Sequence, residues 1–267
     1  NAARENVLAA VPDELLKNSD GKFTFAAHCY NGPGLALVDF GLYKQSVDEI
    51  IMPQTAVQTS ADVQATRTIY DFTCGGVDLK LTFAAPLFLE NLELVSRPVN
   101  YVTYEVKSND GAEHDVEVYF EASADWARNM PTQKSISTVE ADEQFNYVKS
   151  GTESQRVLRH RGDDIRIDWG YFYMAADKQT ANAVGESVAL RKAFAANGEV
   201  ASAGEGTQMA LSKKLGKVGA AAVSNYIMVG YDDLYSIQYF RENIRPYWNR
   251  KGDSSIQKQF ALAAAEY

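Results

Sequence analysis

Along YVTYEVKSNDGAEHDVEVYF, residues 101–120, apolar and polar side chains alternate twice over. Val102, Tyr104 and Val106 interleave with Thr103, Glu105 and Lys107; after SNDGAE, Val116, Val118 and Phe120 interleave with Asp115, Glu117 and Tyr119. A period of two places successive side chains on opposite faces of a strand. Asn109-Asp110-Gly111 supplies residues that tolerate positive φ, so the stretch is predicted to be a β-hairpin with one apolar and one wet face.

The pattern recurs along the chain. TRTIYDFT and VDLKLTFAAP flank Cys74-Gly75-Gly76 and predict a second hairpin, and SQRVLRH and DIRIDWGYFYMAA flank Arg161-Gly162-Asp163 as a third. TQMALSKKL and AAAVSNYIMVGYD read as further strands, joined through Gly216-Lys217. Many short strands linked by Gly, Asn and Asp turns predict an all-β chain, a large antiparallel β-sandwich with a few short helices.

Helical segments are few. GESVALRKAFAAN predicts a short helix between strands, and DDLYSIQYFRENIRPYW is expected to hold another, ended by Pro246. The first 20 residues, with Pro12 inside an otherwise helical pattern, fit either element type. Ser254-Ser255-Ile256-Gln257 has the form of a capping box, after which Ile256, Phe260, Ala264 and Tyr267 fall on one side of a helix. No Gly, Asn or Pro stop signal follows. The expected organisation is therefore a β-sandwich over residues 1–250, then a linker and the start of a helix over 251–267 that leads into a further helical domain.

With 267 residues, 46% of them hydrophobic and 23% charged, the chain can bury an ample core. A net charge of −9 disfavours nucleic acid as a partner, since phosphate-backbone affinity rests on Lys and Arg. No window approaches the roughly 20 apolar residues of a membrane helix. The chain opens with Asn1 and shows no signal peptide, so it is expected to be a processed or shortened product. Cys29 and Cys74 are expected to be free thiols, because two cysteines do not make a disulfide framework in a chain of this size.

No pattern of chemistry stands above its ordinary structural reading. Ser255 and Lys258 match S-x-x-K, but the serine already has a capping role. His28, His114 and His160 lack metal-ligand spacing, and Asp110, Glu113 and Asp115 are the carboxylates of a turn. Asp163, Asp164 and Asp168 are more pointed: apolar residues occupy both faces of IRIDWGYFYM, so Asp168 is expected to be buried against a partner such as Arg166 or Arg67. Trp126, Trp169, Trp248, Tyr171 and Tyr173 would stack on sugars if coplanar and exposed, and otherwise pack the core. Neither a phosphate-binding loop nor a G-x-S-x-G elbow occurs.

The run TRTIYDFTCGGVDLKLTFAAPLFLENLELVSRPVNYVTYEVKSNDGAEHDVEVYFEASADW, with DWGYFYMAA and SIQYFRENIRPYWNRKG, resembles the N-terminal region of glutaminase A-type proteins, known from fungi and from gut Bacteroides-like bacteria. The resemblance covers roughly residues 54 to 267. It implies a supersandwich, similar to those of several glycoside hydrolases, that precedes a catalytic (α/α)₆ toroid in the same polypeptide. It also implies an intact protein that converts L-glutamine to L-glutamate and ammonia, secreted or held in the periplasm or cell envelope. No catalytic residue, metal ligand or cofactor is implied for this region. Its expected role is to support the toroid, with Asp164, Asp168 and Trp169 at the domain interface or the rim of the active site. The rival expectation is a carbohydrate-binding or glycan-hydrolase accessory domain.

Overall fold

The computed structural model describes residues 55–130, 132–159, 167–202 and 206–267, all within the unit Gln45–Tyr267. An eight-stranded antiparallel sheet dominates it. Its strands are β1 (Val57–Val63), β2 (Arg67–Cys74), β3 (Val77–Ala84), β4 (Val99–Ser108), β6 (Ser135–Ala141), β7 (Phe145–Thr152), β8 (Tyr171–Asp177) and β11 (Val223–Asp232), in the order β1-β2-β3-β4-β11-β8-β7-β6. A second sheet has the order β5-β10-β9, from β5 (His114–Ser123), β10 (Gln208–Val218) and β9 (Ala181–Gly185). The all-β sandwich expected from alternation is the fold observed.

Strand alternation sorts the core into layers. Between the sheets lie Val102, Tyr104, Val148, Phe172, Met174 and Ile227 of the large sheet, against Val184, Met209 and Leu211 of the small one. On the outer face of the large sheet, Val99, Tyr101, Tyr147, Tyr173 and Met228 meet Ile256, Phe260 and Ala263 of helix α3 (Ile256–Ala265). The small sheet is covered by helix α2 (Ser187–Asn197) through Leu190. A further described helix, α1 (Leu92–Ser96), precedes β4 and is capped by Asn91. Lys213 of β10 reaches across the interior to the carboxylate of Asp177, which also accepts from Asn225 at 3.1 Å.

Two of the three predicted hairpins differ from the structure. β2 and β3 do form the hairpin around Gly75-Gly76, in register from Arg67↔Ala84 to Cys74↔Val77. β4 and β5 do not pair. β4 lies between β3 and β11 in the large sheet, and among the described residues β5 pairs only with β10, in the small one. Asn109-Asp110-Gly111 is therefore an arch between sheets, held by the Asn109 backbone N–H on the carbonyl of Gly76 at 3.0 Å and by Asp110 on His114 at 2.9 Å. β10 and β11 are likewise split between sheets, and β10 continues through a bulge at Gly216 to Val218. In the third predicted hairpin, Arg161-Gly162-Asp163 lies outside the described residues; 154–159 forms turns, and β8 pairs with β7 instead. The wet outer face expected for β4 holds only toward Lys107, because α3 buries Val99 and Tyr101.

The region from Asp232 to Trp248 holds no α-helix. It forms a two-stranded arm, β12 (Ile237–Tyr239) with β13 (Glu242–Ile244), and then a 3-10 turn, Tyr247–Asn249. The α2 prediction stands, with Gly198 at φ 64° as its C-cap. α3 starts one residue later than a capping box at Ser254 requires: Ser255 is the N-cap, its Oγ accepting from the N–H of Lys258 at 3.2 Å. That bond also settles the S-x-x-K motif as a cap. Tyr267 ends against the sheet, its ring stacked on Tyr226 at 4.0 Å and its hydroxyl 2.6 Å from Thr103 Oγ1.

Candidate functional site

The two ends of the large sheet differ in chemistry. At one end lie the connections 75–76, 109–113, 142–144, 178–180 and 219–222, short and built from small or polar residues. At the other end lie the end of β3, the start of β4, the end of β11, the start of β8 and the end of β7. Their connections are longer and carry exposed Leu87, Phe88, Leu89 and Leu92 before β4, and Ile237, Tyr239, Phe240 and Ile244 in the arm after β11. Large apolar side chains gathered on one edge are unusual for a solvated surface.

The corner Asp168-Trp169-Gly170 fastens this edge. Asp168 has no exposed surface. Its Oδ2 accepts from Gln133 Nε2 at 2.7 Å, and its carbonyl accepts from Thr152 Oγ1 at 2.6 Å. The burial expected for Asp168 is thus observed, and one of its partners is the Gln133 amide from the loop before β6. Arg67 instead donates to Gln64 at 2.6 Å, and Arg166 lies outside the described residues. Trp169 is also buried; its indole N–H is shared between the carbonyls of Asp233 at 2.7 Å and Tyr235 at 3.0 Å, at the root of the arm. Gly170 stands at φ +78°, with the carbonyl oxygen of Asp232 2.2 Å from where a Cβ would sit, so no other residue fits. Gln155 closes the corner, donating to the carbonyls of Thr152 and Gly170 and accepting from the Gly170 N–H at 2.7 Å.

Beside the corner is an open depression of about 430 Å³ lined by Asn129, Gln133, Lys134, Glu153, Ser154 and Arg156. Asp168 lies behind Gln133 and does not reach its surface. Near the root of the arm, burial pushes the Asp232 carboxyl above its ordinary range; the N–H of Leu234 and the charges of Lys149 and Arg245 pull the other way, and the charge of Asp233 adds to the rise. Burial also raises the Tyr231 phenol, whose hydroxyl donates to the Trp169 carbonyl at 2.5 Å. Among the described residues no group of three or more His, Cys, Asp and Glu side chains is placed to hold a metal ion. What these residues do chemically is fix backbone: buried polar atoms tie two loops and the arm to one corner.

Of the predicted site residues, Asp168 and Trp169 fall together at this corner, and Asp164 lies outside the described residues, as do His28, Cys29 and His160. Cys74 is a free thiol. Gln133, Gln155, Asp233 and the arm were not predicted. Gln133 is 35 residues from Asp168 and carries no local signal. Trp126, also among the aromatic candidates, is 68% exposed and stacks on Phe172 at 5.8 Å, whereas Trp248 is buried.

Residues 66–267 match a family described as Domain of unknown function (DUF5127). Glutaminase A of Aspergillus oryzae is 30% identical over 164 residues, 59% of this chain and 23% of that protein, so the chain spans about a quarter of the length of this curated relative. Among solved structures, a protein described as a kojibiose phosphorylase from the human microbiome superposes on 75% of this chain and 20% of its own, at 7% identity and a TM-score of 0.36, too loose to bear on function.

Proposed function

The chain belongs to the DUF5127 family, and on that premise we propose that it is a non-catalytic N-terminal domain of a glutaminase A-like hydrolase. Its part is to support a catalytic helical domain that follows in the same polypeptide. The intact protein would hydrolyse L-glutamine to L-glutamate and ammonia, outside the cytoplasm or at the cell envelope. The similarity to glutaminase A and the much greater length of that relative support this reading. No helix among the described residues is long and apolar enough to cross a membrane.

The observation that carries the proposal is the unequal pair of sheet ends. A scaffold needs one surface prepared for burial, and Leu87, Phe88, Leu89, Leu92, Tyr239 and Phe240 supply it on the edge where Asp168 and Trp169 hold the backbone still. Asp168 in this reading is a positioning residue of the interface. The test is ammonia release from L-glutamine by the purified 267-residue chain and by the longer polypeptide. Turnover is expected only from the latter; turnover by the chain alone refutes the non-catalytic assignment.

One observation favours a second reading, a glycan-binding accessory domain: the exposed face of Trp126, backed by Phe172, offers a stacking surface for a sugar ring. Glycan binding that disappears in Trp126→Ala while the melting temperature holds would move the function there.

A further inference from the structure

The arm has the backbone of a tight hairpin and unusual residues for it. Tyr239 pairs with Glu242 across two central residues, Phe240 and Arg241, at φ 45° and 71°. A two-residue turn with positive φ at both central positions is the I′ turn, for which Asn-Gly is the favoured pair because a Cβ is strained there. A bulky aromatic in that region is an outlier. Local packing gives no return for it: Phe240 is 84% exposed and Tyr239 62% exposed, their rings edge-on at 4.5 Å. Every residue of both strands is exposed, and an isolated two-stranded ribbon is marginal in water.

The root of the arm is rigid by contrast. Trp169 holds the carbonyls of Asp233 and Tyr235, the Ser236 N–H donates to the carbonyl of Ile244 at 2.9 Å, and the Arg245 guanidinium lies 4.9 Å from the centre of the Tyr235 ring. A fixed root with a strained, aromatic, solvent-facing tip is the construction of an anchor, since backbone strain concentrates at binding sites and Tyr and Arg dominate interface hot spots.

We infer that the arm docks the following domain: Tyr239 and Phe240 enter an apolar pocket in the polypeptide beyond Tyr267, and Arg241 meets a carboxylate at the rim of that pocket. This rests on the proposal above that a further domain exists. The occupant is chosen on length: more than three quarters of the matched relative lies outside the aligned stretch, and a tethered partner is present at high effective concentration, so a small anchor suffices. The arm also shares its sheet edge with Leu87, Phe88, Leu89 and Leu92, which extends the apolar surface a large domain would cover.

The test places the photo-cross-linking amino acid p-benzoylphenylalanine at position 240, or separately at position 89, in the longer polypeptide, and maps the cross-linked peptides by mass spectrometry. Both side chains are exposed, so neither substitution disturbs the fold. Position 240 is expected to cross-link within one molecule to a segment beyond Tyr267, and Phe240→Asn with Arg241→Gly, read from position 89, is expected to lower the cross-linked yield several-fold. Cross-links from 89 without any from 240 overturn the role of the arm and leave the scaffold reading standing. A cross-link from 240 into a second copy overturns the chosen occupant, and none from either position overturns both the inference and the scaffold reading.

Discussion

Replacing Gly170 by alanine isolates the contact that holds the arm to the sandwich. Gly170 lies at φ +78° with Asp232 O at 2.2 Å and Asp233 Cα at 3.0 Å from the position of a Cβ; Gly111 lies at φ +80° with nothing within 4 Å. The left-handed conformation alone costs an alanine roughly 1–2 kcal/mol, and that is the whole loss expected for Gly111→Ala. Gly170→Ala must also push the end of β11 away from the corner. The shift strains the Trp169 bonds to Asp233 and Tyr235 and the Tyr231 bond to the Trp169 carbonyl, each worth about 1 kcal/mol net. The total is about 3–5 kcal/mol, in the class of severe substitutions. For a domain of this size the melting temperature should fall on the order of 10 °C, against about 4 °C for Gly111→Ala. Urea and thermal unfolding of both variants, followed by circular dichroism, measure the difference. Equal losses in the two variants would refute the claim that this corner is closely packed.

Phe240→Asn with Arg241→Gly should stabilise the 267-residue chain by about 1–2 kcal/mol, because the strained turn then has its favoured residues; a lower urea midpoint would contradict it. Phe260→Ala removes a fully buried ring set between Tyr147 and Tyr173 at 5.7 and 6.3 Å. It should cost about 3–5 kcal/mol, with loss of amide protection across α3. Asp232 has a folded-state carboxyl value above its unfolded one, so the folded state binds the extra proton between the two and loses stability as pH rises through that window. Asp232→Asn keeps an acceptor for the Leu234 N–H and should therefore be more stable than the parent at pH 7, the gap shrinking as pH falls through that window and closed below about pH 4. A gap that does not change with pH would remove the burial argument. Asp177 has the opposite sign: burial raises its carboxyl, but the bond from Lys213, then those from Asn225 and Thr180, bring it below the ordinary value. Its contribution is present at neutral pH and lost on acidification through the depressed value, so Asp177→Asn should flatten the acid limb of the stability profile.

Local signals in this chain are legible and distant ones are not. Alternation located β4, β5, β10 and β11, since the faces of a strand are written in its own residues. It could not tell a hairpin from an arch between sheets, because the two differ only in the partners chosen; β2 and β3 were paired correctly where a Gly-Gly turn left no room for an arch. The burial of Asp168 followed from apolar residues on both sides of it, but Gln133 as one of its partners follows only from the packing of the β6 loop. The arm was hidden for a physical reason. Phe240-Arg241 lacks the Asn, Asp or Gly that marks an I′ turn, so SIQYFRENI reads as a helix. The N-cap prediction erred by one residue because Ser254 and Ser255 both carry a hydroxyl; Ser255 takes the cap, and Ser254 accepts from Gln259 at 3.0 Å.

On the proposed function, one end of the large sheet is a covered surface and the other a solvated one. Hydroxyl-radical footprinting of the chain alone and of the longer polypeptide compares the two ends directly. The prediction is strong protection of Leu87, Phe88, Leu89, Leu92, Tyr239 and Phe240 in the longer form, with His114 beside the opposite turns oxidised equally in both. Equal oxidation of the apolar edge in the two forms would contradict it.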